Sequence, residues 1–306
     1  MDLQRNPAGA PGPDGRHSGC HSGSDPGPGG TGPPIGQTAM SDGEFARLSA
    51  KVLALTGIEL PPHKRQLVIS RLRKRLRALG IDGFGNYLAY LASPAGEAES
   101  SEMVNAVTTN QTAFFRERHH FEDLAQILAR RPGDAGGRPR RRIWSAACST
   151  GEEVYSIAIT ALGAGLAGPG AGLRILATDL DTAALARARA ATYPAGRADA
   201  CPPQVRQGYF ETLPGGQLRV AASARRLITF NQLNLHGPWP VQGPFDAIFC
   251  RNVLIYFGTE AKQDIVGRIV ALLRPGGTLY LGHSEAALGD HPQLLNQGRT
   301  IFRKCA

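Results

Sequence analysis

The sequence lacks the marks of an exported or membrane-bound protein. Its five cysteines (Cys20, Cys148, Cys201, Cys250, Cys305) are odd in number, scattered, and never spaced C-x-x-C. That speaks for reduced thiols and against a disulfide framework or a cysteine-built zinc site. No apolar run reaches the roughly 18 residues that span a bilayer, and the N-terminal stretch has no apolar signal-peptide core. A soluble, cytoplasmic chain is expected. Two catalytic signatures are missing as well. There is no G-x-S-x-G elbow, and the neighbours His283-Ser284-Glu285 cannot adopt the geometry of a hydrolase triad. The strand-to-helix stretch Arg142–Glu153 likewise has a single glycine, too few for the G-x-G-x-x-G fingerprint that cradles a pyrophosphate.

What is present falls into three stretches of the 306 residues. Residues 1–40 are rich in Gly, Pro and Ser, with no apolar period to offset the entropy of ordering, and read as a disordered tail. His17 and His21 flank Cys20 there, a grouping ascribed to low-complexity composition; no metal site is expected. Residues 41–108 read as a small all-helical domain. Ser41 or Asp42 caps a helix that Gly57 ends, and a second runs from Pro61-Pro62 through HKRQLVISRLRKRLRAL. Shorter helical patterns follow around 84–91 and 100–107. The second helix carries an apolar stripe of Val68, Ile69, Leu72, Leu76 and Leu79. It also carries Lys64, Arg65, Arg71, Arg73, Lys74, Arg75 and Arg77 without a single acid. A face of one sign has no i,i+4 partners, so docking of an acidic surface competes with a plain solvated face. With a formal charge of +9, nucleic acid, anionic membrane and acidic protein are all open as partners.

Residues 109–306 alternate strands with helices. The organising stretch is RIWSAACSTGEE, in which Ile143 and Trp144 form a strand and Gly151 precedes Glu152 and Glu153 at a helix start. A strand entering a helix through small residues is the nucleotide-binding corner of a doubly wound α/β fold. The next strand ends in Asp179, where such folds place an acid on a ribose. Acids at a helix start repel a pyrophosphate. S-adenosylmethionine (SAM) carries a sulfonium, an ammonium and no phosphate, and fits better. Asn110, Thr112 and Arg116 sit at a loop-to-helix junction, the helix expected from about Phe114. His119 and His120 are expected to point about 100° apart on it and to be structural. A Pro-Gly-Gly turn within YFETLPGGQLRVAASARRLITF marks a small antiparallel insertion at about 206–230. Asn234 follows a strand end, placed to bond an adenine edge. Arg251, Asn252 and Tyr256 lie at or beyond the carboxyl end of FDAIFC, where open parallel sheets hold ligands.

Together NQTAFFRERHHF, WSAACSTGEEVYSIAI, ATDLD, FDAIFCRNVLIYF and LRPGGTLYLGHSE resemble, in order and spacing, the CheR family of chemotaxis-receptor protein-glutamate O-methyltransferases, over about residues 41–305. The resemblance implies a Rossmann-like class I SAM-dependent methyltransferase sheet with a small β-insertion, behind an all-helical N-terminal domain. It implies a SAM pocket lined by Asn110, Thr112, Arg116, Glu153, Asp179, Asn234, Leu235, Arg251 and Asn252, with S-adenosylhomocysteine (SAH) as product. Arg116 and Tyr256 would flank the transferring methyl as catalytic residues. The Arg116 fork suits either the methionine carboxylate or the acceptor glutamate. The basic helix would lie on the acidic cytoplasmic helices of a chemoreceptor. In some members of the family the β-insertion binds a receptor C-terminal pentapeptide. A monomer with no nucleic-acid partner and no membrane insertion is expected. Glutamate, with a reference pKa of about 4.3, needs no general base at neutral pH.

Two rival readings compete with this one. Nucleic-acid amine methyltransferases carry an Asn/Asp-Pro-Pro-aromatic motif, and the comparable strand end here is Arg251-Asn252-Val253-Leu254. A non-catalytic SAM-binding regulator is the other, and the presence of Arg116 and Tyr256 stands against it.

Overall fold

The computed structural model describes residues 39–129, 141–166 and 172–305. The tail up to residue 38, with His17, Cys20 and His21, lies outside the described residues. The first helix, α1 (Asp42–Thr56), opens on a capping box: Ser41 Oγ accepts from the Glu44 N–H and the Glu44 carboxylate accepts from the Ser41 N–H. Met40 and Phe45, on either side of the cap, are both buried in the same cluster. The folded chain thus already includes Met40, one residue earlier than the expected edge of the tail. Gly57 ends α1 at φ +73°, and a side chain there would also strike the His236 ring. The helices α2 (Arg65–Leu79), α3 (Phe84–Ala92) and α4 (Glu97–Val107) complete the helical unit. Its core is the α2 stripe Val68, Ile69, Leu72 and Leu76 packed with Leu48, Val52, Tyr87 and Met103; Leu79 packs at the margin.

Three of the seven basic residues of this region face inward. Arg75 makes a two-pronged pair with the buried Glu99 (Nε to Oε1 2.9 Å, Nη2 to Oε2 2.5 Å), which also accepts from the Tyr87 hydroxyl. Arg71 donates to the carbonyls of Val107 and Thr108 at the end of α4, where a helix carries partial negative charge. Arg65 pairs with Asp42 and donates to the Met40 carbonyl. The acids missing from α2 itself are supplied by other helices.

The rest of the chain runs α5 (His119–Ala129), β1 (Arg141–Ala146), α6 (Glu152–Gly163), β2 (Leu173–Asp179), α7 (Thr182–Ala190) and β3 (Thr192–Pro194). It continues with α8 (Pro203–Tyr209), β4 (Phe210–Leu213), β5 (Gln217–Val220), α9 (Ala222–Arg225), β6 (Ile228–Gln232), β7 (Phe245–Cys250) and α10 (Thr259–Leu272). It closes with β8 (Leu273–Leu281), β9 (Leu294–Asn296) and β10 (Ile301–Lys304). Seven strands form one sheet in the order β6-β2-β1-β7-β8-β10-β9, parallel through β8 and antiparallel at β10 and β9. Every residue of β7 is buried, as a central parallel strand covered on both faces requires. The chain winds outward from β1 to β2 and β6, then returns to place β7 beside β1. The crevice at this reversal opens at the strands' carboxyl ends.

A second sheet, β3-β5-β4, is antiparallel. It differs from the expected insertion at both ends. Thr192–Pro194 joins it from upstream, while Ile228–Gln232 leaves it to pair parallel with β2. Short apolar runs look alike whichever sheet takes them, and only the topology assigns the partner. No helix among the described residues is long and apolar enough to cross a membrane.

Removing one member of a buried ion pair strands the other. Arg75→Met is therefore expected to destabilise the chain by about 3 kcal/mol, read from urea unfolding; a loss within error would show that the pair contributes nothing.

Candidate functional site

The carboxyl ends of β1, β2, β6 and β7 open into a cavity of about 1140 Å³, its mouth included. It is lined by Asn110, Thr112, Arg116, Glu153, Asp179, Asn234, Leu235, Arg251, Asn252 and Tyr256, so the chain brings together every cofactor and catalytic residue expected from sequence. The helical unit supplies one wall through Ile58, Lys64 and Val68.

The floor is built around Arg251, the first residue after β7 and 5% exposed. Its Nη1 donates to Glu153 Oε2 at 3.0 Å, and its Nη2 lies 3.4 Å from Glu117 Oε2 and donates to the Arg116 carbonyl. Glu153 stands on the first turn of α6 and takes a second bond from Ser145 Oγ. Gly151 makes this corner possible: at φ +100° a side chain would meet the Tyr193 hydroxyl and Ala188. Burial raises the Glu153 pKa, with Arg251 opposing. Burial also works against the Glu117 charge, but Arg251 and His120 outweigh it and the net shift is downward. Two carboxylates around one guanidinium leave the floor with an excess of negative charge.

On the β2 side, Asp179 Oδ2 accepts from the Ser149 N–H at 2.7 Å and Oδ1 from the Asp181 N–H at 2.9 Å. Each oxygen keeps a lone pair that can accept from a hydroxyl. Burial pushes this carboxyl up to about 6. Asn110 is an anchor: its amide donates to Asp181 Oδ2 and its carbonyl accepts from Ser149 Oγ. Asn234 donates to the Leu55 carbonyl and accepts from the His236 N–H, which leaves one amide hydrogen for a ligand. At the mouth, Arg116 is exposed and donates to the Gln111 carbonyl. Tyr256 is held from behind, its carbonyl accepting from the Glu59 N–H.

The segment before α5 departs from the expected helix. Phe115 and Glu117 have φ of +53° and +58°, and the helix begins at His119. The phenylalanines explain the detour: Phe114 packs against Tyr193 and Phe210, while Phe115 turns to Phe121. His119 and His120 do not diverge. Their rings meet at 4.3 Å and share the Arg299 carbonyl, because His119, at the first helical position, is free to turn back. With Glu117 they form a cluster of metal-type donors. The Arg251 guanidinium already supplies the positive charge at Glu117, and burial drives the His120 pKa down to about 4.

Sequence reading missed Glu285. It is 1% exposed and accepts from the N–H groups of Asn252, Leu254 and Gly282, fixing the turn that carries Asn252 (φ +59°) and, beyond it, Tyr256. Its signal was an acid at the carboxyl end of the strand neighbouring FDAIFC. Asp181, which caps α7 and holds Asn110 and Thr108, was missed too.

The all-alpha domain of CheR methyltransferases matches residues 43–108, and their SAM-binding domain matches residues 110–300. The chain belongs to the CheR methyltransferase family. The chemotaxis protein methyltransferase of Salmonella typhimurium is 43% identical over 86% of this chain and 91% of its own length. Those of Escherichia coli (42%, over 86% and 91%) and Pseudomonas aeruginosa (methyltransferase 2; 44%, over 85% and 92%) are alike to a similar degree. Among solved structures, TrmN from Thermus thermophilus aligns over 58% of this chain and 46% of its own at 24% identity, with a TM-score of 0.32. The cofactor of a CheR chain is SAM, which supplies a methyl group already activated on a sulfonium. The cavity suits it: the carboxylates of Glu153 and Asp179 line it, as a cationic ligand requires, and Arg251 Nε, buried, makes no hydrogen bond to the described residues.

If Asp179 accepts the ribose hydroxyls, SAH affinity is flat above about pH 7 and weakens about tenfold per unit well below pH 6, since a raised carboxyl pKa means earlier protonation. Calorimetry checks this. Asp179→Asn should bind weakly at every pH, and a wild-type profile without an inflection near 6 would remove Asp179 from the site.

Proposed function

We propose that this chain transfers the methyl of SAM to glutamate side chains on the cytoplasmic helices of chemoreceptors, giving glutamate methyl esters. The observation that carries this reading is the polarity of the cavity. Its floor is acidic, with Glu153 and Asp179 in the lining and Glu117 behind them on Arg251. Its mouth is basic, with Arg116 and Lys64. A cationic donor sits over carboxylates, and an anionic acceptor enters past cations.

In this reading Asp179 holds the ribose, Asn234 and Leu235 the adenine, and Glu153 the ammonium end. Arg116 and Tyr256 flank the reacting carbon and orient the acceptor oxygen in line with it. The acceptor carboxylate is ionised before it arrives, so the site needs no base; it needs alignment and the exclusion of water. Residues 109–306 act as the catalytic domain, and the helical unit, ending near residue 108, docks the receptor in the cytoplasm. Of its basic residues, Arg65, Arg71 and Arg75 hold the helices together. Arg73, Lys74 and Arg77 remain to meet acidic receptor helices.

Purified protein, methyl-labelled SAM and receptor-bearing membranes test the reading. Label is expected to be released as methanol by mild base; base-stable label would mean N-methylation and contradict it. Arg116→Ala is expected to lower transfer by about a hundredfold or more. Reversing the charges of Arg73, Lys74 and Arg77 should raise the receptor KM about tenfold with SAH affinity intact; an equal loss of SAH affinity would refute the docking role.

A further inference from the structure

We propose that Lys64 is a catalytic residue on the acceptor side, whose ammonium receives the carboxylate of the incoming glutamate above Tyr256. This rests on the function proposed above and separates Lys64 from the docking group in which its sequence neighbours would place it. Four observations carry it.

The first is position. Lys64 lines the cofactor cavity, and with Tyr256 it also lines an adjoining outer pocket that includes Glu59, His63 and Ile255. Lys64 and Tyr256 thus stand at the passage between the two. The second is restraint. An antiparallel bridge joins Ile58 to Phe257, and the Glu59 N–H donates to the Tyr256 carbonyl at 2.8 Å. Six residues on, Lys64 Nζ lies 4.4 Å from the Tyr256 ring centroid, a cation–π contact that fixes the ammonium over the mouth. The third is that its charge is uncompensated. Arg65, Arg71 and Arg75 are each bonded within the helical unit, whereas Lys64 pairs with no carboxylate among the described residues, Glu59 included. The fourth is partial burial, which, with Arg71 nearby, lowers its pKa and marks an ammonium short of solvation. An arriving carboxylate restores what burial removed.

The chemistry balances without a proton. One carboxylate oxygen bonds to the ammonium, and the other gives its electron pair to the new O–CH₃ bond as the S–CH₃ pair passes to sulfur. The product ester is neutral and loses its hold on Lys64, which favours release. A glutamine at the same place offers only a neutral amide, so the contact also selects charge.

The test is steady-state methylation of receptor-bearing membranes by the full chain, with SAH affinity measured in parallel. Lys64→Met and Lys64→Gln are expected to lower kcat at saturating receptor by about 30-fold or more, through lost alignment of the acceptor oxygen, with SAH affinity within about twofold. Lys64→Arg should restore much of the rate. If both neutral variants keep wild-type kcat and only the receptor KM rises, Lys64 is a docking contact and the proposal fails. A parallel loss of SAH affinity would place Lys64 on the cofactor and also overturn it. If wild-type protein forms no base-labile ester on receptors, the broader function fails, whatever the variants do.

Discussion

The ion triad of Arg251 with Glu153 and Glu117 is the interaction on which the site depends. It joins three pieces of chain remote in sequence: the turn after β7, the first turn of α6 and the irregular segment before α5. A guanidinium is suited to this because its planar fork serves two carboxylates and a carbonyl at once. Burial makes the arrangement costly unless every partner is present, so the segment holding Asn110, Thr112 and Arg116 is pinned wherever Arg251 is pinned. The same triad leaves negative charge facing a cofactor that is itself cationic. Architecture and electrostatics come from one cluster.

Around it, a second set of contacts closes the cavity with the helical unit. Asn105 bonds to Thr182, and Thr108 and Asn110 bond to Asp181. On the opposite side the Ile58–Phe257 bridge and the Asn234 bond to Leu55 hold the end of α1. The helical unit is therefore bound to both flanks of the crevice. That is how a lysine early in the chain comes to lie over a tyrosine nearly two hundred residues later.

Features set by local chemistry were legible in the sequence. A cap at Ser41 or Asp42, of which the structure takes Ser41, the stop at Gly57, the strand ending in Asp179 and the turn after FDAIFC all follow from caps, periods and strand-end rules. The lining of the cavity was legible because the motifs carry these residues to strand ends that the sheet gathers at one edge. Tertiary partners were not legible. Arg75 reads as an exposed cation until Glu99 arrives from another helix, and Ile228–Gln232 reads as part of the insertion until β2 takes it. The helix expected from Phe114 fails because two adjacent aromatics must enter different parts of the core. The role of Glu285 was not legible because its partners are backbone N–H groups, which no pattern of side chains reveals.

The central claim is that a cavity acidic below and basic above seats a cationic methyl donor beneath an anionic acceptor. A crystal structure of the chain with SAH tests it most directly. The account predicts the ribose hydroxyls on Asp179, the amino group on the side of Glu153 and Arg251, and the sulfur turned toward Arg116 and Tyr256. SAH bound elsewhere, or lying in the crevice with Asp179 turned away from the ribose, would contradict it.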